Sequence, residues 1–83
     1  MINNQDIIDK IKVFLAEQLD RGTTSFHEAE TFLENGCDEF DFIELMMSVE
    51  DDFGITIEED ITAGMTLASL AELIAHEKNK TKK

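Results

Sequence analysis

Proline, tryptophan and tyrosine are absent from this sequence of 83 residues, and Cys37 is its one cysteine. A lone cysteine cannot form an internal disulfide, so the fold does not depend on disulfides and fits a reducing compartment. Six phenylalanines must supply all of the aromatic packing. A chain of this length forms one domain with a small core, and we expect that domain to span residues 1–83.

Positive charge is scarce in the middle of the chain. No lysine or arginine occurs between Arg21 and Lys78, an interval that holds fifteen aspartates and glutamates, and the formal net charge is -12. A field of this sign disfavours nucleic acid and anionic membranes as partners. It favours basic protein surfaces or divalent cations, and the plainer alternative is an acidic domain whose charge serves solubility.

Long apolar runs and targeting signals are also missing. Residues 1–6 lack a basic stretch followed by an apolar run, so we expect no signal peptide. No apolar run approaches the roughly twenty residues that span a bilayer. We therefore expect a cytoplasmic protein that does not contact membranes.

Apolar residues recur at helical spacing in three stretches, which predicts three main helices. The first runs from about Asn4 to Asp20, with Asn3 or Asn4 as its N-cap and Gly22 as its stop. The second begins after a long connection over residues 22–37, which is unusual in a small bundle.

The second main helix is predicted from Asp38 or Glu39 to Asp52 or Phe53, with Gly54 as its stop. Its first turn is acidic, which suits the positive end of the helix dipole. The start of this helix therefore carries a strong N-terminal signal.

The last main helix is predicted to begin after Thr66 and to end at about Lys78. Residues 78–83 form a basic tail that we expect to be frayed. A short additional helix is predicted over residues 58–61 or 58–62. Together these elements predict an all-α fold, a small four-helix bundle of three main helices and one short helix.

Two sets of apolar residues fall on different faces of the second predicted helix. One narrow face is predicted to be buried and consists of Phe42, Leu45, Met46, Val49 and Phe53. The other face consists of Phe40, Ile43 and Met47. It either adds to the core or forms a partly exposed docking patch ringed by acidic side chains, and the residue pattern leaves both interpretations open.

Motifs that would carry chemistry are not found. The acidic residues lack the spacing of a calcium-binding loop, and Cys37, His27 and His76 lack the spacing of a zinc site. No phosphate-binding loop is present, and no basic residue lies near a serine or cysteine in sequence to activate it. We expect neither catalytic residues nor a metal site, and we predict that the protein is not an enzyme.

Residues 36–40 have the sequence Gly-Cys-Asp-Glu-Phe and open the second predicted helix. This stretch resembles the Gly-x-Asp-Ser-Leu turn at the start of helix II in acyl carrier proteins. The apolar and acidic run over residues 43–53 continues the likeness. Upstream, residues 31–36 are similar to the family's Leu-Phe-x-Asp-Leu-Gly, and downstream, residues 55–60 resemble its short third helix and the approach to it. The resemblance covers nearly the whole chain and implies the acyl carrier protein fold.

One departure from the family concerns the attachment site. The family's serine carries 4′-phosphopantetheine through a phosphodiester on its hydroxyl, and Glu39 stands at the matching position. A carboxylate cannot form that linkage, Ser25 and Ser48 lie elsewhere, and the thiol of Cys37 is not the attachment chemistry of the family. Glu39 therefore marks the cofactor position, and we expect no cofactor on the chain as sequenced. Phe42 is a second departure, because many relatives have a smaller residue there to shelter an acyl chain.

The resemblance implies a module of fatty-acid, polyketide or related biosynthesis that docks through helix II on basic surfaces of acyl-processing enzymes, as a monomer. One alternative is a true acyl carrier protein whose attachment serine was replaced by Glu39. Another is a small acidic protein that responds to cations. The residues expected to contact the partner are Asp38, Glu39, Phe40, Ile43, Glu44, Met47, Glu50 and Asp51.

Overall fold

The computed structural model describes residues 3–81 and contains three α-helices. They are α1 (Asn4–Leu19), α2 (Glu39–Phe53) and α3 (Leu67–Thr81), and a single 3-10 turn lies at Thr23–Ser25. No strand forms within residues 3–81; one isolated bridge joins two loops. The predicted all-α fold class is confirmed.

The ends of α1 are set by local side chains. The Asn3 side chain accepts the N–H of Asp6 at 2.8 Å, which confirms an asparagine N-cap. The helix ends at Leu19, because Asp20 turns into the left-handed region at φ 56°. The predicted stop at Gly22 is therefore wrong by two residues, since aspartate also tolerates this conformation.

The end of α3 differs from the sequence prediction. This helix continues to Thr81, so Lys78 and Lys80 are helical and the predicted frayed tail is wrong for this part of the chain. Lys78 Nζ donates to the carbonyl of Phe53 at 3.0 Å, and Lys80 lies 3.6 Å from the Glu77 carboxylate. Basic side chains also suit the negative end of a helix dipole. Residues 82–83 lie outside the described residues.

The predicted short helix over residues 58–62 does not form. The segment runs extended from Ile55, bends at Glu59 and turns at residues 63–64. Two of its backbone donors have side-chain acceptors on α2, because the N–H of Ile57 and that of Ala63 both point at glutamate carboxylates. A helix starting at Glu58 would bond the Ala63 N–H to the Glu59 carbonyl, and this donor points at Glu39 instead. The described part of the chain is thus a three-helix bundle.

The core is built around α1, which packs against both α2 and α3. The buried side chains of the three helices are Ile7, Ile8, Ile11, Leu15, Phe42, Leu45, Val49, Phe53, Leu67, Leu70, Ala71 and Ile74. On α2, four of the five residues predicted to be buried are buried, whereas Met46 is half-buried. Phe42 packs edge-on against Phe32, with 5.0 Å between the ring centroids.

The connection between α1 and α2 is organised by the buried side chain of Asn35. Its amide nitrogen donates to the carbonyls of His27 (3.0 Å) and Thr31 (2.8 Å), and its oxygen accepts the N–H of His27 at 2.7 Å. Arg21 donates to the Asn35 carbonyl and lies over the Phe26 ring, 4.4 Å from its centroid. A connection without regular secondary structure is therefore held by specific side-chain contacts.

Candidate functional site

The start of α2 is fixed by two aspartates that cap each other. Asp38 Oδ1 accepts the N–H of Asp41 at 2.9 Å, and Asp41 Oδ2 accepts the N–H of Asp38 at 3.4 Å. This reciprocal arrangement satisfies two backbone donors at the helix start. The helix therefore begins at Glu39, as the sequence predicts, and Glu39 occupies its first position.

The Glu39 side chain spans from α2 to the turn that precedes α3. Its two carboxylate oxygens lie 3.4 and 3.3 Å from the backbone nitrogen of Ala63, which donates to them. The sequence gives no sign of this contact, because the two residues are 24 positions apart and neither belongs to a motif that pairs them. Glu39 thus has a partner within the chain.

Cys37 lies just before this helix start and is fully buried. Burial, with smaller contributions from the charges of Asp41, Asp38 and Glu39, raises the pKa of its thiol to about 12. The thiol is therefore protonated at neutral pH and is not a nucleophile in the folded protein.

No hydroxyl group is available where α2 begins. Residues 37–42 are Cys-Asp-Glu-Phe-Asp-Phe, and a phosphodiester to a carrier arm requires an alcohol oxygen. Ser48 is exposed but lies nine residues along the same helix, and Ser25 lies in the connection after α1. The residues at this position do not fit a phosphopantetheine arm.

Three large apolar side chains stand exposed on the outside of α2. The exposed fraction is 82% for Phe40, 54% for Ile43 and 64% for Met47. Of the two interpretations left open by the sequence, the structure excludes the one in which these residues add to the core. We call these three residues the outer face of α2.

Acidic residues accompany this outer face. Asp38, Glu39, Glu44 and Asp51 are exposed, as a docking surface requires. Glu50 differs, because it is half-buried and its Oε2 accepts the N–H of Ile57 at 2.9 Å. Seven of the eight predicted contact residues are therefore exposed, and Glu39 and Glu50 each accept a backbone N–H inside the chain.

A groove of about 340 Å³ runs between α2 and the segment that follows it. Its walls are mostly apolar, with a glutamate from each half of α2. The lining residues are Glu39, Phe42, Ile43, Met46, Met47, Glu50, Ile57 and Ile61. Phe42 belongs to this lining, although its side chain is 2% exposed and packs edge-on against Phe32.

Within residues 3–81, no helix is long and apolar enough to cross a membrane. The same residues contain no group of three or more histidine, cysteine, aspartate or glutamate side chains placed to hold a metal ion.

Comparisons with known proteins agree with the architecture. A family model described as a phosphopantetheine attachment site matches residues 9–76. The chain is 36% identical over 76 residues to an acyl carrier protein of a Picosynechococcus species, covering 90% of this chain and 94% of that protein. It is 31% identical over 65 residues to acyl carrier protein 3 of Ralstonia nicotianae, covering 77% of this chain and 75% of the relative. The chain therefore belongs to the acyl carrier protein family, whose members are carriers rather than enzymes.

Proposed function

We propose that this protein docks on basic surfaces of acyl-processing enzymes through the outer face of α2. The observation that carries the proposal is the exposure of Phe40, Ile43 and Met47 on a helix whose other exposed residues are mostly acidic. Large apolar side chains at the centre of an interface supply most of its affinity. Phe40, the most exposed of the three, is the expected anchor.

The acidic residues beside this face have a different role in the proposal. Complementary charge speeds association and selects partners more than it adds affinity. Glu44 and Asp51 are exposed, so they are free to meet lysine and arginine side chains of a partner. Positive residues are absent between Arg21 and Lys78, and the lysines that reach α2, Lys10 and Lys78, lie at its C-terminal end, away from Phe40 and Ile43.

We further propose that the chain does not carry 4′-phosphopantetheine as sequenced. The support is chemical: Glu39 stands at the position that matches the family's serine, and its carboxylate offers no hydroxyl for the phosphodiester. The protein would then dock in a fatty-acid, polyketide or related pathway without transporting an acyl group. Its expected state is a monomer.

The deciding experiment is intact mass after incubation with coenzyme A and a phosphopantetheinyl transferase of broad specificity. The wild-type chain and a Glu39→Ser variant are compared side by side. We expect the arm on the variant alone, which indicates a competent carrier surface without its attachment residue. An arm on the wild-type chain contradicts the proposal, and no arm on either chain indicates that the surface has diverged beyond this residue.

Docking is tested with a charge reversal on α2 and a matched reversal elsewhere. In the Glu39→Ser background, Glu44→Lys should raise the KM for the transferase by about tenfold, because a rim charge then repels the partner. Glu72→Lys makes the same change at an exposed position of α3 and should have little effect. Equal KM values for the two double variants would rule out α2 as the docking surface. Glu50→Lys is less informative, since it also breaks the contact with Ile57.

A true acyl carrier protein whose serine was replaced is the second candidate. It is favoured by the family model, which spans position 39 as part of residues 9–76. Both candidates predict loading of the Glu39→Ser variant, and they differ in whether the unloaded chain has a role of its own. Deletion of the gene, followed by rescue with the wild-type or the Glu39→Ser chain, separates them, because a carrier requires the serine for rescue.

Calorimetry with calcium and magnesium tests the cation-responsive alternative, which no observation favours.

A further inference from the structure

Two glutamates of α2 hold the segment that leads to α3. Glu50 Oε2 accepts the N–H of Ile57 at 2.9 Å, and both oxygens of Glu39 lie within 3.4 Å of the Ala63 nitrogen. We call residues 55–63 the strap. We propose that Glu39 is a latch, whose carboxylate holds the far end of the strap against α2 and keeps the groove closed there.

Burial varies along the strap. Ile55 and Ala63, its two ends, are buried, whereas Ile57 and Ile61 are half-buried and residues 58–60 are exposed. A segment with few buried contacts opens locally at low free-energy cost. The strap is therefore buried at its two ends, bonded to Glu50 at Ile57, and exposed over residues 58–60, which lie between Ile57 and the Glu39 contact.

The Ala63 end has a second attachment that makes a hinge possible. The Ala63 carbonyl accepts the N–H of Leu33 at 3.1 Å, and the Thr62 carbonyl accepts the N–H of Met65 at 3.2 Å. The first bond joins the turn to the loop before α2, and the second lies within the turn. Neither bond involves α2. Among the hydrogen bonds of the Ala63 backbone, the one to Glu39 is the link to this helix.

Opening of the latch would change the width of the groove between α2 and the strap. The groove is lined by Glu39, Phe42 and Met46 from α2 and by Ile57 and Ile61 from the strap. If the Ala63 end leaves α2, the Ile61 side chain moves with it and the groove widens at that end, whereas Ile57 stays bonded to Glu50. The exposed acids at residues 58–60 carry the same charge as Glu39 and Glu50, so repulsion favours opening and the latch opposes it.

Amide hydrogen exchange followed by NMR tests the latch on the intact chain. In Glu39→Ala, the exchange rate of the Ala63 amide should rise by about fivefold or more, because its acceptor is gone. Amides in the buried part of α1, such as those of Ile11 and Leu15, should keep their rates. Glu44→Ala removes the same charge from the same helix and should leave the Ala63 rate unchanged.

The contrary results are equally specific. An unchanged Ala63 rate in Glu39→Ala overturns the latch. So does a rise of equal size at Ile11, because that pattern reports a loss of global stability. Glu39→Gln guards against a variant that fails to fold, since its side chain keeps its length and one acceptor oxygen. We expect its Ala63 rate to lie between those of wild type and Glu39→Ala.

Groove opening is measured with the neutral dye N-phenyl-1-naphthylamine, whose fluorescence rises in apolar surroundings. Glu39→Ala should bind the dye about threefold more tightly than Glu44→Ala, which corrects for the lost charge. Equal binding by these two variants would mean that Glu39 does not close the groove. Glu50→Ala should release the amide of Ile57 rather than that of Ala63.

The latch is independent of carrier loading. A serine side chain is two atoms shorter than glutamate, so Glu39→Ser should also free the Ala63 amide whether or not a transferase modifies it. Fast exchange at Ala63 without loading would support the latch and count against a competent carrier surface. Slow exchange at Ala63 in a Glu39→Ser chain that is loaded would contradict the latch and support a competent carrier surface.

Discussion

Cys37 shows how one buried group ties stability to pH. Its thiol has a pKa of about 12 in the folded protein, raised by burial and then by neighbouring carboxylates, against 9.0 for an unperturbed thiol. Because the pKa of this thiol is higher in the folded protein than in the unfolded chain, its contribution to stability is fully present at pH values below the pKa of the unfolded thiol. The unfolded chain then loses its proton first as the pH rises, and stability falls through the range between the two values.

We therefore predict that the free energy of unfolding decreases above about pH 9, by up to about 1.4 kcal/mol per pH unit from this thiol. Urea denaturation at pH 7 to 10 measures the decrease. Cys37→Ala removes the titrating group and should flatten the curve over this range. Parallel curves for the two proteins would show that other groups cause the pH dependence.

Asn35 is the residue whose role is least visible in the sequence. Its side-chain amide is buried and bonded to the backbone of His27 and Thr31, which lie four to eight residues earlier in the chain. Asn35→Ala would leave these backbone groups without their partner. We predict a loss of about 2 kcal/mol in the free energy of unfolding, the usual effect of unsatisfied buried polar groups.

Chemical denaturation with urea checks this prediction, and Asn4→Ala is a suitable control. Asn4 is exposed, and it lies in the first turn of α1. Its replacement should change stability by a few tenths of a kcal/mol. If Asn35→Ala is as stable as this control, the buried amide does not hold the connection.

At the scale of the elements, local signals explain what the sequence could predict. Asp38 caps α2 and Gly54 ends it at φ 68°, and both assignments need only a few neighbouring residues. The strap could not be predicted in this way. Two of its backbone donors, at Ile57 and Ala63, bond to Glu50 and Glu39 of α2, and the expected short helix does not form. The exposure of the outer face of α2 also required the fold.

Gly54 follows the end of α2 and Gly22 precedes the 3-10 turn, and together they allow a comparison of two backbone conformations. A Cβ would meet no atom within 4 Å at either position, so substitution by alanine introduces no clash. Gly54 has a φ of 68°, whereas Gly22 has a φ of -71° that any residue adopts. We predict that Gly54→Ala lowers the free energy of unfolding by about 1 kcal/mol.

Gly22→Ala should be neutral or stabilise the protein by about 0.5 kcal/mol, because it reduces the entropy of the unfolded chain. Urea midpoints of the two variants measured together give the comparison. Equal midpoints would mean that the end of α2 relaxes to accommodate a β-carbon.

At the scale of the whole molecule, charge is the dominant feature. Ion pairs of Lys10 with Asp52 (2.9 Å) and of Lys80 with Glu77 (3.6 Å) neutralise only a few of the nineteen acidic residues. The remaining carboxylates repel one another in the compact state. The pair of Lys10 with Asp52 does lie at the C-terminal end of α2, where acidic residues are otherwise unfavourable.

We predict that sodium chloride raises the melting temperature by about 5 °C between about 0.02 and about 0.5 M, because salt screens this repulsion. Circular dichroism at pH 7 follows the transition. A triple variant, Glu58→Gln with Glu59→Gln and Asp60→Asn, removes three exposed charges and should show a smaller rise. A melting temperature that falls with salt would indicate that attractive ion pairs outweigh the repulsion.

Hydrogen bonds join the connection between α1 and α2 to the connection between α2 and α3. Thr31 pairs with Thr66, the N–H of Phe32 donates to the Met65 carbonyl at 3.0 Å, and Leu33 donates to Ala63. Neither loop could leave the bundle without removing acceptors or donors from the other. We therefore expect a protease to meet them as one cooperative unit, so that a cut in either loop speeds cleavage of its neighbour. The two connections have the least regular structure in the described part of the chain, yet they would resist digestion together until both are cut.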